Sequence, residues 1–160
     1  MREIEFRGKS LVTNNWVYGN YIIDKWGDDN NEIIYGILRD RTAPSSLQNW
    51  IPVRVDGQTI GQYTGLKDKN GTKIYEGDIV KLTRTNMYAP SASFHNKDLV
   101  SLHRICWNDD KHSFYQEHFD IEKKRITGGG CLNFEDERAK ENIIEVIGNI
   151  HDNKLEDFYE

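Results

Sequence analysis

The chain is short of the residues that mark several protein classes. It has 2 cysteines and 3 prolines in 160 residues. Cys106 and Cys131 stand far apart, so no disulfide framework of a small secreted domain is indicated, and both thiols are expected to be reduced inside a cell. No apolar run follows the basic start "MREIEFRGKS" as a secretory signal requires, and none approaches the length needed to cross a bilayer. A cytoplasmic protein with no membrane partner is expected. Strong charge of one sign is also lacking. The formal net charge is −5, and residues 134–160 hold nine Asp or Glu against Arg138, Lys140 and Lys154. That segment therefore carries −6 and everything before it +1. A body near neutral has no strong field for phosphate chains, and its acidic end repels them.

What is present points to β structure. Hydrophobic residues make up 37% of the chain and aromatics 11%, enough for one domain to bury a core without cross-links. "REIEFR" alternates polar and apolar residues, which places Ile4 and Phe6 on one strand face. "NWVYGNYIID" and "NEIIYGILRD" are rich in β-branched and aromatic residues around the polar "WGDDNN", predicting a hairpin. "RTAPSSLQNW" reads as a loop leading to a short strand at "IPVRVD". "LHRICW" and "HSFYQEHF" form two more strands around the turn "NDDK". "IIEVIGNI" is again β-rich, with Gly148 a bulge or bend. Residues 86–98 read as a surface loop, "TGGGCL" as a flexible connector, and Asn133 as the cap of one short helix over "FEDERAKEN".

The stretch "QYTGLKDKNGTKIYEGDIVKL" carries most of the chemistry to be weighed. Asn70-Gly71 suits a tight turn with positive φ angles, and Glu76, Gly77 and Asp78 a second turn before a strand at Ile79, Val80 and Leu82. A calcium loop starting at Asp68 fails, because Thr72 and Lys73 occupy its fifth and sixth positions, where the chain must bend on Gly. Glu76 and Asp78 read as solvated turn carboxylates, since no apolar pocket nearby would split their pKa values. His103 and Cys106 lack the second ligand pair of a zinc site. "GGG" at 128–130 is followed by neither the Lys-Ser/Thr nor the helix of a phosphate loop. Cys106 or Cys131 paired with a histidine would need a spatial meeting that spacing does not provide. No catalytic residue, metal or cofactor is expected.

One binding alternative remains. Tyr63, Tyr75, Trp107, Phe114 and Tyr115 could stack single-stranded bases, with Lys67, Lys69, Lys73 and Lys81 as phosphate contacts. Core packing with solvated lysines is the favoured account of the same residues.

"TIGQYTGLKDKNGTKIYEGDIVKL", with the opening "MREIEFRGK", the early "WVYG" and the late "EVIGNI" before "HDN", closely resembles the YopX family of phage and prophage proteins. The resemblance implies a mainly β protein: an SH3-like barrel or strongly curved antiparallel sheet, with additional strands and one short helix. It further implies a single domain over 1–160, with an N-terminal β region at 1–60, a barrel core at 61–152 and an acidic tail at 153–160. In that frame Gly65, Gly71 and Gly77 punctuate turns, while Leu66, Ile74, Tyr75, Ile79 and Val80 fill the core. It assigns no activity and no catalytic residues, and it departs most over 83–142. The expected function is a non-enzymatic module that binds itself or a phage or host protein; the alternative is a nucleic-acid-binding barrel. Self-association is expected through the β-rich ends "REIEFR" and "IIEVIGNI", which offer unpaired sheet edges with few obvious protections.

Overall fold

In a computed structural model of the protein, residues 3–25, 33–38, 52–84, 99–120, 125–131 and 142–153 are described. They form eleven strands: β1 Phe6–Lys9, β2 Trp16–Lys25, β3 Ile33–Leu38, β4 Val53–Arg54, β5 Gly61–Lys67, β6 Lys73–Tyr75, β7 Asp78–Arg84, β8 Leu99–Asn108, β9 Ser113–Asp120, β10 Arg125–Cys131 and β11 Asn142–Asn149. A 3-10 turn at Gly57–Thr59 precedes β5. The protein is mainly β, as expected. A six-stranded sheet has the order β4-β3-β2-β1-β5-β6 and a five-stranded sheet the order β10-β9-β8-β7-β11, with antiparallel pairing throughout the registers that link β1 to β5 and β7 to β11. Neither order closes into a barrel among the described residues, so the open, curved form of the expectation is the one observed. The helix expected over 134–142 and the loop at 86–98 lie outside the described residues, apart from Asn142, which opens β11. Among the described residues no helix is long and apolar enough to cross a membrane.

The chain divides into two compact units, Met1–Gly65 and Leu66–Glu160. In the first, β2 and β3 form the hairpin read from the sequence, running from Asn20 opposite Leu38 to Lys25 opposite Ile33. The sheet then curls strongly: β4 pairs with β3, and immediately beyond it Val55 bridges Ser10 at the end of β1. Asp56 N–H donates to the Lys9 carbonyl and Leu11 N–H to that of Arg54. Val17, Ile37 and Val55 are buried inside this curl, with Phe6, Tyr35, Val53 and Ile60 packed against them. Phe6 belongs to β1 as the alternation implied, but Ile4 precedes the strand and is exposed.

In the second unit, Ile74, Val80, Leu82, Ile105 and Ile144 form the core, with Leu66 and Val146 against them. Because directly opposed residues share a face, the Val80–Val146 and Leu82–Ile144 pairs bring one face of β7 and of β11 into that core. A bulge between Val146 and Gly148 bends β11, as its glycine suggested. Ile74, Tyr75, Ile79 and Val80 are all buried, as the resemblance implied.

Three readings are corrected. The hairpin between β5 and β6 turns at Asn70-Gly71, but through a three-residue loop: Gly71 N–H donates to the Asp68 carbonyl and Asp68 N–H to that of Thr72. Only Gly71 takes a positive φ, +81°, the pattern of a type I turn completed by a left-handed glycine. Gly65 has a positive φ but sits inside β5, not in a turn. Gly128–Gly130 belong to β10, paired with His118, Glu117 and Gln116, because backbone ladder bonds need no side chain; they are not a loose connector.

The Asp68 side chain organises the loop. Its Oδ1 accepts the Asn70 and Thr72 amides at 2.8 Å each, and its Oδ2 accepts the Val146 amide of β11 at 3.1 Å. Burial alone would raise the carboxyl, but the hydrogen bonds from Val146, Thr72 and Asn70 outweigh it and hold the group below its ordinary 3.8. A folded-state value depressed in this way contributes stability above the ordinary carboxylate range, and that stability is lost as pH falls through the folded value. Asp68→Asn is expected to cost about 2 kcal/mol at pH 7, because the amide nitrogen would face the Val146 donor. Urea titrations should show the gap between wild type and variant closing below about pH 4. Gly71→Ala is expected to cost about 1–2 kcal/mol: a Cβ there meets nothing within 4 Å, so the whole effect is the left-handed backbone.

Candidate interaction surface

The connection between β1 and β2 is short and tied to its surroundings. Ser10 is buried; its Oγ accepts the Val12 and Thr13 amides at 3.2 and 3.3 Å, its amide donates to Asn15 O, and its carbonyl accepts Asn14 N–H. Asn14 takes the left-handed conformation, φ 56°, which asparagine tolerates better than most residues. Leu11 N–H is bonded to the Arg54 carbonyl, so the loop's backbone is tethered at several points. Its side chains are not: Leu11 is 66% and Val12 87% exposed. A stiff loop that holds two adjacent aliphatic side chains in water loses little conformational entropy when a partner covers them.

Beside the loop, β1 and β2 bring together a second set of residues, of which Arg7 is buried, Lys9 and Trp16 are half-buried and Tyr18 is exposed. Lys9 lies opposite Trp16 and Arg7 opposite Tyr18. The Arg7 guanidinium sits 4.5 Å from the Trp16 ring centroid and the Lys9 ammonium 5.6 Å, and Tyr18 is exposed. These cation–π contacts fix the cations and occupy the indole, so Trp16 acts as a support for charge more than as an open stacking platform. None of these four residues was among those expected from the sequence to form a site. Their signal was available in the alternation of "FRGK" and "WVYG", which puts Arg7 and Lys9 on one parity and Trp16 and Tyr18 on the facing one.

The residues named from the sequence fall elsewhere. Tyr63 and Tyr75 are each 3% exposed and Phe114 is buried, which removes them as stacking surfaces; strand aromatics have filled the interior. Trp107 is half-buried and packs edge-on to Phe114 at 5.0 Å. Lys67 and Lys69 are exposed, Lys73 and Lys81 half-buried, and the Lys69 ammonium pairs with Glu145 at 2.8 Å. Asp78, read as a solvated carboxylate, is 1% exposed, and its Oδ2 accepts the Tyr75 amide at 2.8 Å; the short loop between β6 and β7 leaves the side chain no path outward. Glu76 remains half-buried beside Gly77, whose φ is +82°.

Two polar clusters lie across β8 and β9. Arg104 faces Glu117, with Nε donating to Oε2 at 2.9 Å and Nη2 in a second contact to the same oxygen; Tyr115 donates to Oε1 at 2.8 Å. Burial would raise Glu117, but the bonds from Tyr115 and Arg104 hold it below its ordinary value. Its hydrogen bond to Glu117, with burial second, pushes Tyr115 up to about 12. Burial pushes the neighbouring Cys106 thiol up to about 11, against the pull of Arg104. His103 and His118 are opposed with ring centroids 5.2 Å apart, and Ser101 Oγ lies 2.8 Å from His103 Nε2. Among the described residues no three His, Cys, Asp or Glu side chains come together as a metal site would require.

The family model for YopX protein matches residues 5–156. This chain belongs to the YopX family. Among solved structures it is similar to the crystal structure of protein EF1440 from Enterococcus faecalis, at 27% identity over 100% of both chains, with a TM-score of 0.47. No curated protein matches it. The YopX signature read from the sequence thus coincides with the Asp68 turn, the buried Asp78 and the bulged β11.

A raised thiol is a poor nucleophile, since the thiolate reacts. Alkylation of Cys106 by iodoacetamide at pH 8 should run about two orders of magnitude slower than at an accessible thiol of ordinary pKa, and should accelerate toward pH 11. Rapid labelling at pH 7 would contradict the raised thiol.

Proposed function

We propose that this YopX-family protein is a non-enzymatic interaction module, of the phage or prophage origin that the family resemblance implies, whose partner is a polypeptide: a second copy of the chain or a phage or host protein. The observation that carries the reading is the exposed Leu11–Val12 pair on a hydrogen-bonded loop. The half-buried Lys9 ammonium held over Trp16 beside it adds a polar contact at the rim of such a surface. The raised pKa of the Cys106 thiol and the structural use of Asp68 and Asp78 support a non-enzymatic role.

The nucleic-acid alternative loses its main support with the burial of Tyr63 and Tyr75 and the pairing of Lys69 with Glu145. In gel shifts with a single-stranded oligonucleotide, no binding that weakens steeply with salt is expected.

The Leu11→Ser/Val12→Ser variant tests the interaction reading. Because both side chains are exposed, unfolding stability should change by less than about 0.5 kcal/mol. Association measured by light scattering, or retention of a polypeptide partner, should fall about tenfold or more. Unchanged association in the double variant would overturn the assignment of the surface.

A further inference from the structure

β11 is the last strand of its sheet, and its outer side is engaged by a turn. The Lys69 amide donates to the Ile144 carbonyl at 2.9 Å, while the Val146 amide donates to Asp68 Oδ2 at 3.1 Å. Between them the Lys69 ammonium reaches Glu145 at 2.8 Å. The carbonyl of Ile144 and the amide of Val146 are groups that a strand added to β11 would have to engage. Here one backbone donor and one carboxylate acceptor, consecutive in the loop after β5, already hold them.

We infer that the Asp68–Lys69 turn is a built-in strand mimic that closes the edge of β11 against a strand from a second copy of this chain. Edge strands are templates for pairing, and "NIIEVIGN" carries a single charged residue among its β-branched and apolar ones, so the edge needs a guard. The strand kept out is that of a second copy, because antiparallel pairing of two identical edges satisfies both at once. The other devices at this edge are weaker. The bulge at Val146–Gly148 twists the strand's end but leaves Ile144 to Val146 in regular register with Leu82 and Val80. On this reading the "IIEVIGNI" strand, expected from the sequence to offer an edge, carries its own guard, while β1 lies between β2 and β5 and is not an edge.

The inference is independent of the Leu11–Val12 surface, and its test is run in the Leu11→Ser/Val12→Ser background so that the two fail separately. Lys69→Pro is the informative variant. Proline is favoured at the first central position of a type I turn, so the hairpin is kept, while the amide bonded to Ile144 and the ammonium paired with Glu145 are both removed. Light scattering after size-exclusion chromatography, across a dilution series, is compared with hydrogen exchange of the β11 amides. The expected result is self-association about tenfold or more stronger than in the parent, with the Ile144 amide newly protected in the associated form, since the Val146 amide is already held by Asp68 in the parent. An unchanged mass at every concentration, or association that leaves the Ile144 amide unprotected, would overturn the inference. Asp68→Ala removes every bond of the carboxylate and endangers folding, so Lys69→Pro is the deciding variant, with retained protection of the β7 amides showing that the fold survives.

Discussion

The Asp68 carboxylate is where the second unit's separate pieces meet. It closes the β5–β6 loop on itself through Asn70 and Thr72, and it reaches across 78 residues of sequence to the Val146 amide. One buried charge with three amide donors is a stable arrangement, because charge-assisted hydrogen bonds more than offset the lost hydration. Without it the loop would present unpaired donors to a half-dry surface, and β11 would lose its lateral restraint beside the bulge. The neighbouring features follow the same logic. Gly71 supplies the left-handed step that completes the turn, Gly77 the next one, and Asp78 accepts the Tyr75 amide from a position sealed off from water.

Strands with clear alternation or dense β-branched composition were legible: β2, β3, β7, β8, β9 and β11 lie where the sequence put them, and the glycine bulge in β11 was visible as Gly148. The turn at Asn70-Gly71 was legible in place but not in kind, because loop length depends on which carbonyl accepts the Gly71 amide, and that choice is made by Asp68 and its distant partner. β10 is hidden in the sequence because three consecutive glycines carry no side-chain pattern; their pairing is dictated by β9 alongside. Gly65 is ambiguous for a related reason: a positive-φ glycine inside a strand has the same sequence signature as one that ends it.

The site was less legible than the fold. Single residues do not announce whether an aromatic ring fills a core or faces water, so Tyr63 and Tyr75 suit either role until their burial is known. Asp78 is obscured in the same way: a Glu-Gly-Asp turn looks solvated, and only the paths of β6 and β7 enclose its third residue. The exposed Leu11–Val12 pair and the cations over Trp16 sit in "FRGKSLVTNNWVYG", whose Ser10 and Asn14 read as loop residues but whose rigidity depends on the return of the chain at Arg54 and Val55.

If the Asp68–Val146 bond is what joins the hairpin to β11, the carboxyl and the amide must titrate together. Nuclear magnetic resonance of the side-chain carboxyl and the backbone amides, followed from pH 7 down into the acid range, measures both in one sample. Asp68 is expected to titrate below its ordinary 3.8, and the Val146 amide to shift with the same midpoint. An Asp68 midpoint at or above the ordinary value, or a Val146 amide indifferent to it, would contradict this coupling.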